Sequence, residues 1–186
     1  MKSFRSLLLG IFASIALITG IALLLPSSYQ VEREVFIQAP PRQVFEQINT
    51  LTHWPNWAFA GWGKERPSFS FSGPMDGQGA ICTWQNGRGS GRVEIISSTP
   101  FEQIQMRTML NGGAIISESN FQLLSQEGGT LLTMEEKGDV GFKLQTRLLI
   151  ALGKVEESLG ERYEVALQAL KAHCEGVSFM ESNRGL

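Results

Sequence analysis

Few side chains in this sequence are of the types that carry out acid–base or nucleophilic catalysis. The two histidines are His53 and His173, and the only aspartates are Asp76 and Asp139. No serine or cysteine stands in a motif that would bring a histidine and an acid to it. His53 could act as a general base, although a histidine in an aromatic turn can equally be structural. The sequence therefore predicts no catalytic residue beyond the single candidate His53.

The cysteine and glycine patterns predict neither a metal site nor a cofactor site. Cys82 and Cys174 belong to no CxxC motif or Cys/His cluster, which argues against a structural zinc site. We expect two unpaired thiols, and a disulfide is the alternative if the domain lies outside the cytoplasm. The stretch GQGAICTWQNGRGSG is flanked by strands with no helix after it. It therefore predicts a hairpin and not a phosphate-binding loop.

The charge pattern argues against a nucleic-acid partner. The chain has 186 residues, a formal net charge of −2 and a pI near 5.8. Its lysines and arginines are scattered, with no basic run after the N-terminal residues. Because nucleic-acid binding depends on a basic surface, we expect none here. The length suits one domain of ordinary size plus an appendage.

The stretch WPNWAFAGWG contains three of the chain's four tryptophans. Trp54 and Trp57 are three residues apart, so they share one side of a short helical turn. Tryptophan buries a large apolar area while its N–H needs a polar partner. Three interpretations stay open at this point: core packing, the wall of a ligand cavity, and a membrane-interface belt.

The first thirty residues contain a long apolar segment. Leu7 to Leu25 carries no charge over nineteen residues, and Lys2 and Arg5 precede it. A helix of this length nearly spans a hydrocarbon core of about 30 Å. The pattern predicts a transmembrane anchor over residues 1–28 in the inner or plasma membrane, with a cytoplasmic N-terminus and a periplasmic or extracellular domain. A cleaved signal peptide and a buried core helix are the alternatives.

The soluble part begins with a strand and two short helices. Residues 29–38 read as a strand that Pro40 and Pro41 end. Residues 42–49 predict a short helix, and the segment at residues 53–57 predicts a second short helix or turn. Six more strands joined by short glycine-rich turns follow, which implies an antiparallel sheet of about seven strands. We expect them near residues 69–72, 80–85, 90–98, 102–110, 115–124 and 130–137.

A long amphipathic helix is predicted over residues 141–172, with Gly153 and Gly160 as points where it bends or thins. As the only large helix, it must cover one face of the sheet. A curved sheet around a helix tends to leave an apolar space between them, which is typical of small-molecule sites. The folded domain is predicted over residues 29–175, and residues 176–186 form a flexible tail.

Apolar strand residues that alternate with polar neighbours are expected to face this space. With the two tryptophans of the turn and two leucines of the helix, the predicted ligand-binding residues are Trp54, Trp57, Trp84, Met106, Phe121, Met134, Leu148 and Leu152. The strand charges Arg92, Glu94, Arg107, Glu118 and Glu135 are expected on the outer face. The alternative is that one or two of them point inward with a partner or a ligand.

This layout resembles the START-like or SRPBCC superfamily, an α+β class also called the helix-grip fold, and within it the polyketide cyclase/dehydrase-like branch. The resemblance covers about residues 29–175. It rests on VEREVFIQAPPRQVFEQI followed by WPNW, on GQGAICTW, SGRVEI and GGTLLTMEEKG, and on GERYEVALQALK at the helix end. It implies a cavity for hydrophobic or amphipathic molecules such as lipids, and does not by itself imply an enzyme.

The main hypothesis is therefore a membrane-tethered protein that binds a hydrophobic or amphipathic, lipid-like molecule. The first alternative is a cyclase or dehydratase acting on an aromatic or ketide-like substrate, which requires an acid–base pair facing the cavity. The second is an interaction module whose cavity is closed and filled, with an exposed apolar patch elsewhere.

Overall fold

The computed structural model describes residues 10–14, 17–20, 24–62, 66–87 and 89–176. It confirms the α+β helix-grip architecture and all seven predicted strands. The strands are β1 (Ser28–Ile37), β2 (Ser68–Ser72), β3 (Ile81–Asn86), β4 (Gly89–Thr99), β5 (Gln103–Leu110), β6 (Ile115–Gln126) and β7 (Gly129–Asp139).

All strand pairs are antiparallel, and the order in the sheet is β1-β7-β6-β5-β4-β3-β2. The six strands β2 to β7 therefore form a continuous meander, and β1 returns to pair with the last strand. A register shift between Ile95 and Ser97 marks an irregularity in β4. Bulges of this kind bend a strand, which helps the sheet curve around its helix.

Two short helices follow β1, as predicted. Helix α1 (Pro41–Asn49) buries Val44, Phe45 and Ile48, and Pro41 begins it because proline suits the first helical position. A 3₁₀ helix, Leu51–Asn56, follows directly, and a second one, Ala60–Trp62, ends the tryptophan-rich turn.

The predicted long helix is two helices. Helix α2 (Leu144–Ala151) is separated from α3 (Lys154–Cys174) by Gly153, whose φ of 69° is left-handed. Glycine adopts this conformation without the steric cost of a Cβ, so it ends one helix and redirects the chain. Leu148 and Leu152, which were predicted to face the cavity, precede α3 and are 50% and 64% exposed.

Helix α3 covers the inner face of the sheet, where it packs against β1 and against the 3₁₀ helix Ala60–Trp62. Its buried face is built largely from small side chains, which let the helix approach the strands closely. The buried residues are Gly160, Ala166, Leu167, Ala169, Leu170, Ala172 and Cys174. Together with inward strand residues such as Ile37, Ile95 and Leu132, they form the main core.

The outer face of the sheet carries the strand charges, as expected. Arg92 pairs with Glu94 at 2.8 Å and Arg107 pairs with Glu118 at 3.0 Å. Glu135 pairs with a lysine two residues along the same strand, at 2.7 Å. These side chains are partly or largely exposed, so the pairs contribute little to stability.

Both cysteines are free and buried, which confirms the expected unpaired thiols. Burial raises the pKa of the Cys82 thiol to about 11. Burial, together with the nearby Glu175 carboxylate, raises the pKa of the Cys174 thiol to about 12. Because the thiolate is the reactive form, both thiols are chemically quiet at neutral pH.

The structure corrects the predicted single-pass membrane location. A membrane-spanning helix needs about 20 consecutive apolar residues. No helix in the described ranges is long and apolar enough to cross a membrane. In the predicted anchor Leu7 to Leu25, the helical residues described are 10–14, 17–20 and 24, and most of the others lie outside the described residues. Residues 177–186 of the predicted tail also lie outside them.

Candidate functional site

A mainly apolar space of about 130 Å³ lies between the inner face of the sheet and helix α3. We call it the inner cavity and define it by the eight aromatic rings that line it. They are Tyr29, Trp54, Trp57, Phe59, Trp62, Trp84, Phe121 and Tyr163. Half of the other ten lining residues are apolar, and the strands, the tryptophan-rich turn and helix α3 all contribute to the wall.

The tryptophan-rich turn is fixed to the end of helix α1 by its own indole groups. The Trp54 Nε1–H donates to the Ile48 carbonyl at 2.9 Å, and the Trp57 Nε1–H donates to the Gln47 carbonyl at 3.2 Å. The last carbonyls of a helix lack intrahelical partners, so these bonds cap α1. The two rings also contact each other, with centroids 5.4 Å apart. The turn is therefore both core packing and cavity wall.

Phe59 is the centre of an aromatic cluster in the wall of the inner cavity. Its ring centroid lies 4.9 Å from that of Phe69, 5.3 Å from that of Trp62 and 5.3 Å from that of Trp84. Trp62 and Trp84 meet edge to face at 6.1 Å. Edge-to-face contacts between rings are favourable beyond the area they bury. The cluster holds this wall of the cavity in one arrangement.

Two glycines provide the space in which cavity rings lie. Gly91 is opposite Trp84 in the β3–β4 pair, and a Cβ there would lie 2.5 Å from Cε2 of that ring. Gly138 is opposite Tyr29 in the β1–β7 pair, and a Cβ there would lie 2.5 Å from Cε1 of the tyrosine. Both rings therefore lie flat over the backbone of the neighbouring strand.

One buried carboxylate forms the polar end of the inner cavity. Glu136 on β7 is 7% exposed. The Tyr29 hydroxyl donates to its Oε1 at 3.2 Å, and the Ser119 hydroxyl donates to its Oε2 at 3.1 Å. The Tyr163 side chain, from α3, is close enough for the charge of this carboxylate to raise the pKa of its phenol. All four residues line the cavity, so Glu136, Tyr29, Ser119 and Tyr163 form one cluster, the Glu136 cluster.

The phenol groups of the Glu136 cluster are held in their neutral form. Burial, and then the charge and hydrogen bond of Glu136, raise the pKa of Tyr29. Burial, and then the charge of the same carboxylate, raise the pKa of Tyr163 well above its usual value. Ionisation would bring a phenolate next to a carboxylate in a poorly solvated space. Both tyrosines therefore remain hydrogen-bond donors through the neutral pH range.

We expect this cluster to make the fold sensitive to alkaline pH. Tyr29 and Tyr163 are the only tyrosines in the chain. Because their folded pKa is raised, the stability they contribute is complete below the unfolded pKa of about 10 and is lost as pH rises above it. A spectrophotometric titration should show no phenolate in the native protein near pH 10, and phenolate appearing together with unfolding at higher pH. In denaturant, both should titrate near pH 10. Phenolate forming in a still-folded protein at that pH would contradict the prediction.

The structure brings together five of the predicted ligand-binding residues around the inner cavity: Trp54, Trp57, Trp84, Phe121 and Met134. Met106 faces the same way but is covered by other core residues and does not line the cavity. Leu148 and Leu152 lie at the surface. His53 also lies outside the lining, and its buried Nδ1 has no hydrogen-bond partner in the described part of the chain. Ligand binding by these residues remains a prediction.

The sequence reasoning missed Glu136 and the residues that surround it. The sequence did contain a signal for the inward position of Glu136. Met134 was predicted to face inward, and strand side chains alternate with a period of two. Glu136 therefore follows Met134 on the inner face, while Glu135 faces outward. In the sequence, Tyr163 fits only the apolar spacing of the helix predicted over residues 141–172. Phe59 and Trp62 lay in the quoted turn without a predicted role.

An outer pocket of about 390 Å³ adjoins the inner cavity. The two share Trp62, Trp84, Leu110 and Arg162. The Arg162 guanidinium lies 5.9 Å from the centre of the Trp62 ring, a cation–π contact at the surface of α3. None of the Glu136 cluster borders the outer pocket. The shared residues therefore form the mouth of the cavity, and the carboxylate lies at its inner end.

A larger groove, which meets the inner cavity at Tyr29, is a weaker candidate. It measures about 750 Å³ and is bordered by the ends of β1 and β7, including Gly138, Asp139 and Glu156. It is open to solvent and has no aromatic cluster, whereas ligand sites are enclosed and mainly apolar. Within the described ranges, no group of three or more His, Cys, Asp or Glu residues could hold a metal ion.

Comparisons with known proteins agree with this fold. The sequence profile of the family described as "Polyketide cyclase / dehydrase and lipid transport" matches residues 28–175. The match therefore covers the whole sheet, helix α3 and every residue of the inner cavity. No curated protein matches the chain.

Several solved structures share the fold. Protein CV1439 from Chromobacterium violaceum has a TM-score of 0.58 at 13% identity, covering 81% of this chain and 99% of its own. The Aha1 dimer from Colwellia psychrerythraea has a TM-score of 0.54 at 16% identity, covering 79% and 96%. Hypothetical protein jhp0584 from Helicobacter pylori has a TM-score of 0.58 at 11% identity, covering 78% and 88%. At these identities the likeness concerns the fold alone.

Proposed function

The chain belongs to the polyketide cyclase / dehydrase and lipid transport family, and we propose that it binds a hydrophobic or amphipathic small molecule in the inner cavity. One observation carries this proposal. Eight aromatic rings surround an unfilled space of about 130 Å³ that has a single buried carboxylate at its inner end. Pockets with apolar walls and a few convergent polar groups are typical ligand sites.

The volume limits what the inner cavity can hold. An engineered protein cavity of about 150 Å³ binds benzene, so a space of 130 Å³ suits a body of about one ring. A longer lipid-like molecule does not fit within it. Such a molecule would have to pass the mouth between Trp62 and Arg162 and continue into the outer pocket of about 390 Å³. A one-ring ligand is therefore the form that binds without rearrangement.

An enzyme of the cyclase or dehydratase type is a second candidate because one observation favours it. The Glu136 carboxylate, hydrogen-bonded to the Tyr29 phenol and close to the Tyr163 phenol, faces the cavity. A catalytic acid works best when its pKa lies near the working pH. The raised pKa of Tyr163 makes it a poor acid at neutral pH. Binding without turnover therefore explains the cluster better.

The test is to fill the cavity from helix α3. Ala166 lines the cavity and is 7% exposed, while the adjacent Val165 is 37% exposed. Titration calorimetry with phenethyl alcohol should detect binding to the full chain. Ala166→Leu should abolish binding while keeping or raising the melting temperature, since it fills a void. Val165→Leu should leave binding unchanged. Equal binding by the wild type and a folded Ala166→Leu protein would refute a site in the inner cavity.

A further inference from the structure

Resting on the proposed function, we infer that the inner cavity selects an organic cation: a protonated amine or quaternary ammonium group on a small aromatic or apolar body. The ammonium group lies at the Glu136 cluster, and the apolar body lies among the aromatic rings. Three features of the described residues carry this inference: the carboxylate, the rings around it and the position of Arg162 in the cavity lining.

The carboxylate of Glu136 is buried among neutral donors. Its hydrogen-bond donors are the hydroxyls of Tyr29 and Ser119, and the phenol of Tyr163 lies nearby. Among the described residues, no salt bridge involves Glu136. A buried charge is costly unless it is paired as well as hydrogen-bonded. A cation entering the cavity would supply the missing opposite charge.

The aromatic walls suit the same kind of ligand. Cations are attracted to the faces of aromatic rings, most strongly to tryptophan, and cages of such rings recognise ammonium groups. All four tryptophans of the chain, Trp54, Trp57, Trp62 and Trp84, line this one cavity. They stand with Phe121 and both tyrosines around a space of about 130 Å³. A neutral apolar ligand would gain from apolar contact with these rings but not from the attraction of their faces for a cation.

Among the described residues, the one positively charged side chain in the cavity lining lies at the mouth. Arg162 belongs to both the inner cavity and the outer pocket, its side chain is over the Trp62 ring, and the residue is exposed. None of the Glu136 cluster borders the outer pocket. The site therefore has a negative inner end and a positive mouth, so a bound amine would point inward, away from Arg162.

The experiment compares three ligands of nearly the same shape on the full chain at neutral pH. They are phenethylamine as the cation, phenethyl alcohol as the neutral molecule and phenylacetate as the anion. Charge-assisted hydrogen bonds are about twice as strong as neutral ones, so titration calorimetry should show the amine binding about tenfold more tightly than the alcohol. Phenylacetate should bind most weakly of the three.

Three substitutions test which residues cause the preference for the amine. Glu136→Gln should remove the preference for the amine over the alcohol, because the amide keeps the shape and loses the charge. Glu135→Gln is the matched control: it is adjacent, faces outward and pairs with Lys137. It should retain the full preference. Arg162→Gln, at an exposed position, should tighten amine binding and weaken phenylacetate binding further.

The possible results separate a failure of this inference from a failure of the proposed function. The inference is overturned if the alcohol binds as tightly as the amine, if phenylacetate binds best, or if a folded Glu136→Gln protein keeps the preference. Binding of the alcohol alone would leave the proposed function standing, whereas failure of all three ligands to bind would remove that function as well. If Glu136→Gln does not fold, the wild-type ligand order and the opposite shifts in Arg162→Gln still decide the question.

Discussion

Replacing Phe121 with alanine is expected to lower the free energy of unfolding by about 3–5 kcal/mol, the usual range for a buried phenylalanine. Phe121 is 2% exposed and lies on the interior strand β6, between Ile104 of β5 and Met134 of β7. The loss has two parts: apolar area returned to water and a void added beside an existing cavity. Because the inner cavity already leaves space there, little neighbouring packing can collapse into the gap.

Chemical denaturation measures this loss as a shift of the midpoint at an unchanged slope. Phe142→Ala is the matched control, because Phe142 is 85% exposed and its ring has a cation–π contact with Arg147 at 5.5 Å. The control should lose no more than about 1 kcal/mol. A loss for Phe121→Ala as small as that of the control would show that Phe121 is not a supporting wall of the cavity.

Replacing Gly91 with alanine is expected to cost about 1–3 kcal/mol and to displace Trp84 from its place in the cavity wall. The added Cβ would lie 2.5 Å from Cε2 and 2.8 Å from Cη2 of the Trp84 ring, which is far closer than a van der Waals contact. The ring is rigid and is held on its other side by Phe59 and Trp62. It must therefore tilt, or strands β3 and β4 must separate.

Near-ultraviolet circular dichroism and denaturation together report this change, since all four tryptophans surround the cavity. Gly160→Ala is the control. A Cβ at Gly160 would meet the guanidinium end of Arg33, which is partly exposed and can move aside. Alanine also favours a helix over glycine by about 1 kcal/mol. Stability should therefore be kept in this variant. An unchanged dichroism spectrum in Gly91→Ala would contradict the packing of Trp84 on that glycine.

Local patterns in the sequence were enough to identify the strands and their order. The alternation of polar and apolar residues, with short glycine-rich turns, predicted the seven antiparallel strands within one or two residues. The same alternation placed Trp84, Phe121 and Met134 on the inner face. These predictions succeeded because a strand's two faces are fixed by its own sequence once one face is buried.

The helical side of the site was harder to predict for a physical reason. An apolar pattern with three- and four-residue spacing runs through residues 144–170. The left-handed conformation at Gly153 resets the helix direction, so Leu148 and Leu152 do not continue the buried face of α3. Leu148 and Leu152, which precede this change of direction, therefore lie at the surface.

The sequence by itself determined the strands, the outward charges and the aromatic character of the site, since each depends on residues close together in the chain. Only the tertiary structure decided the Glu136 cluster, the inner cavity and its mouth. Tyr29 and Glu136 are 107 residues apart, and they meet only because β1 returns to pair with β7. Trp84 lies flat because β4 offers a glycine opposite it. Contacts of this kind form between residues that are far apart in the sequence. They depend on how distant elements pack, so no single segment predicts them.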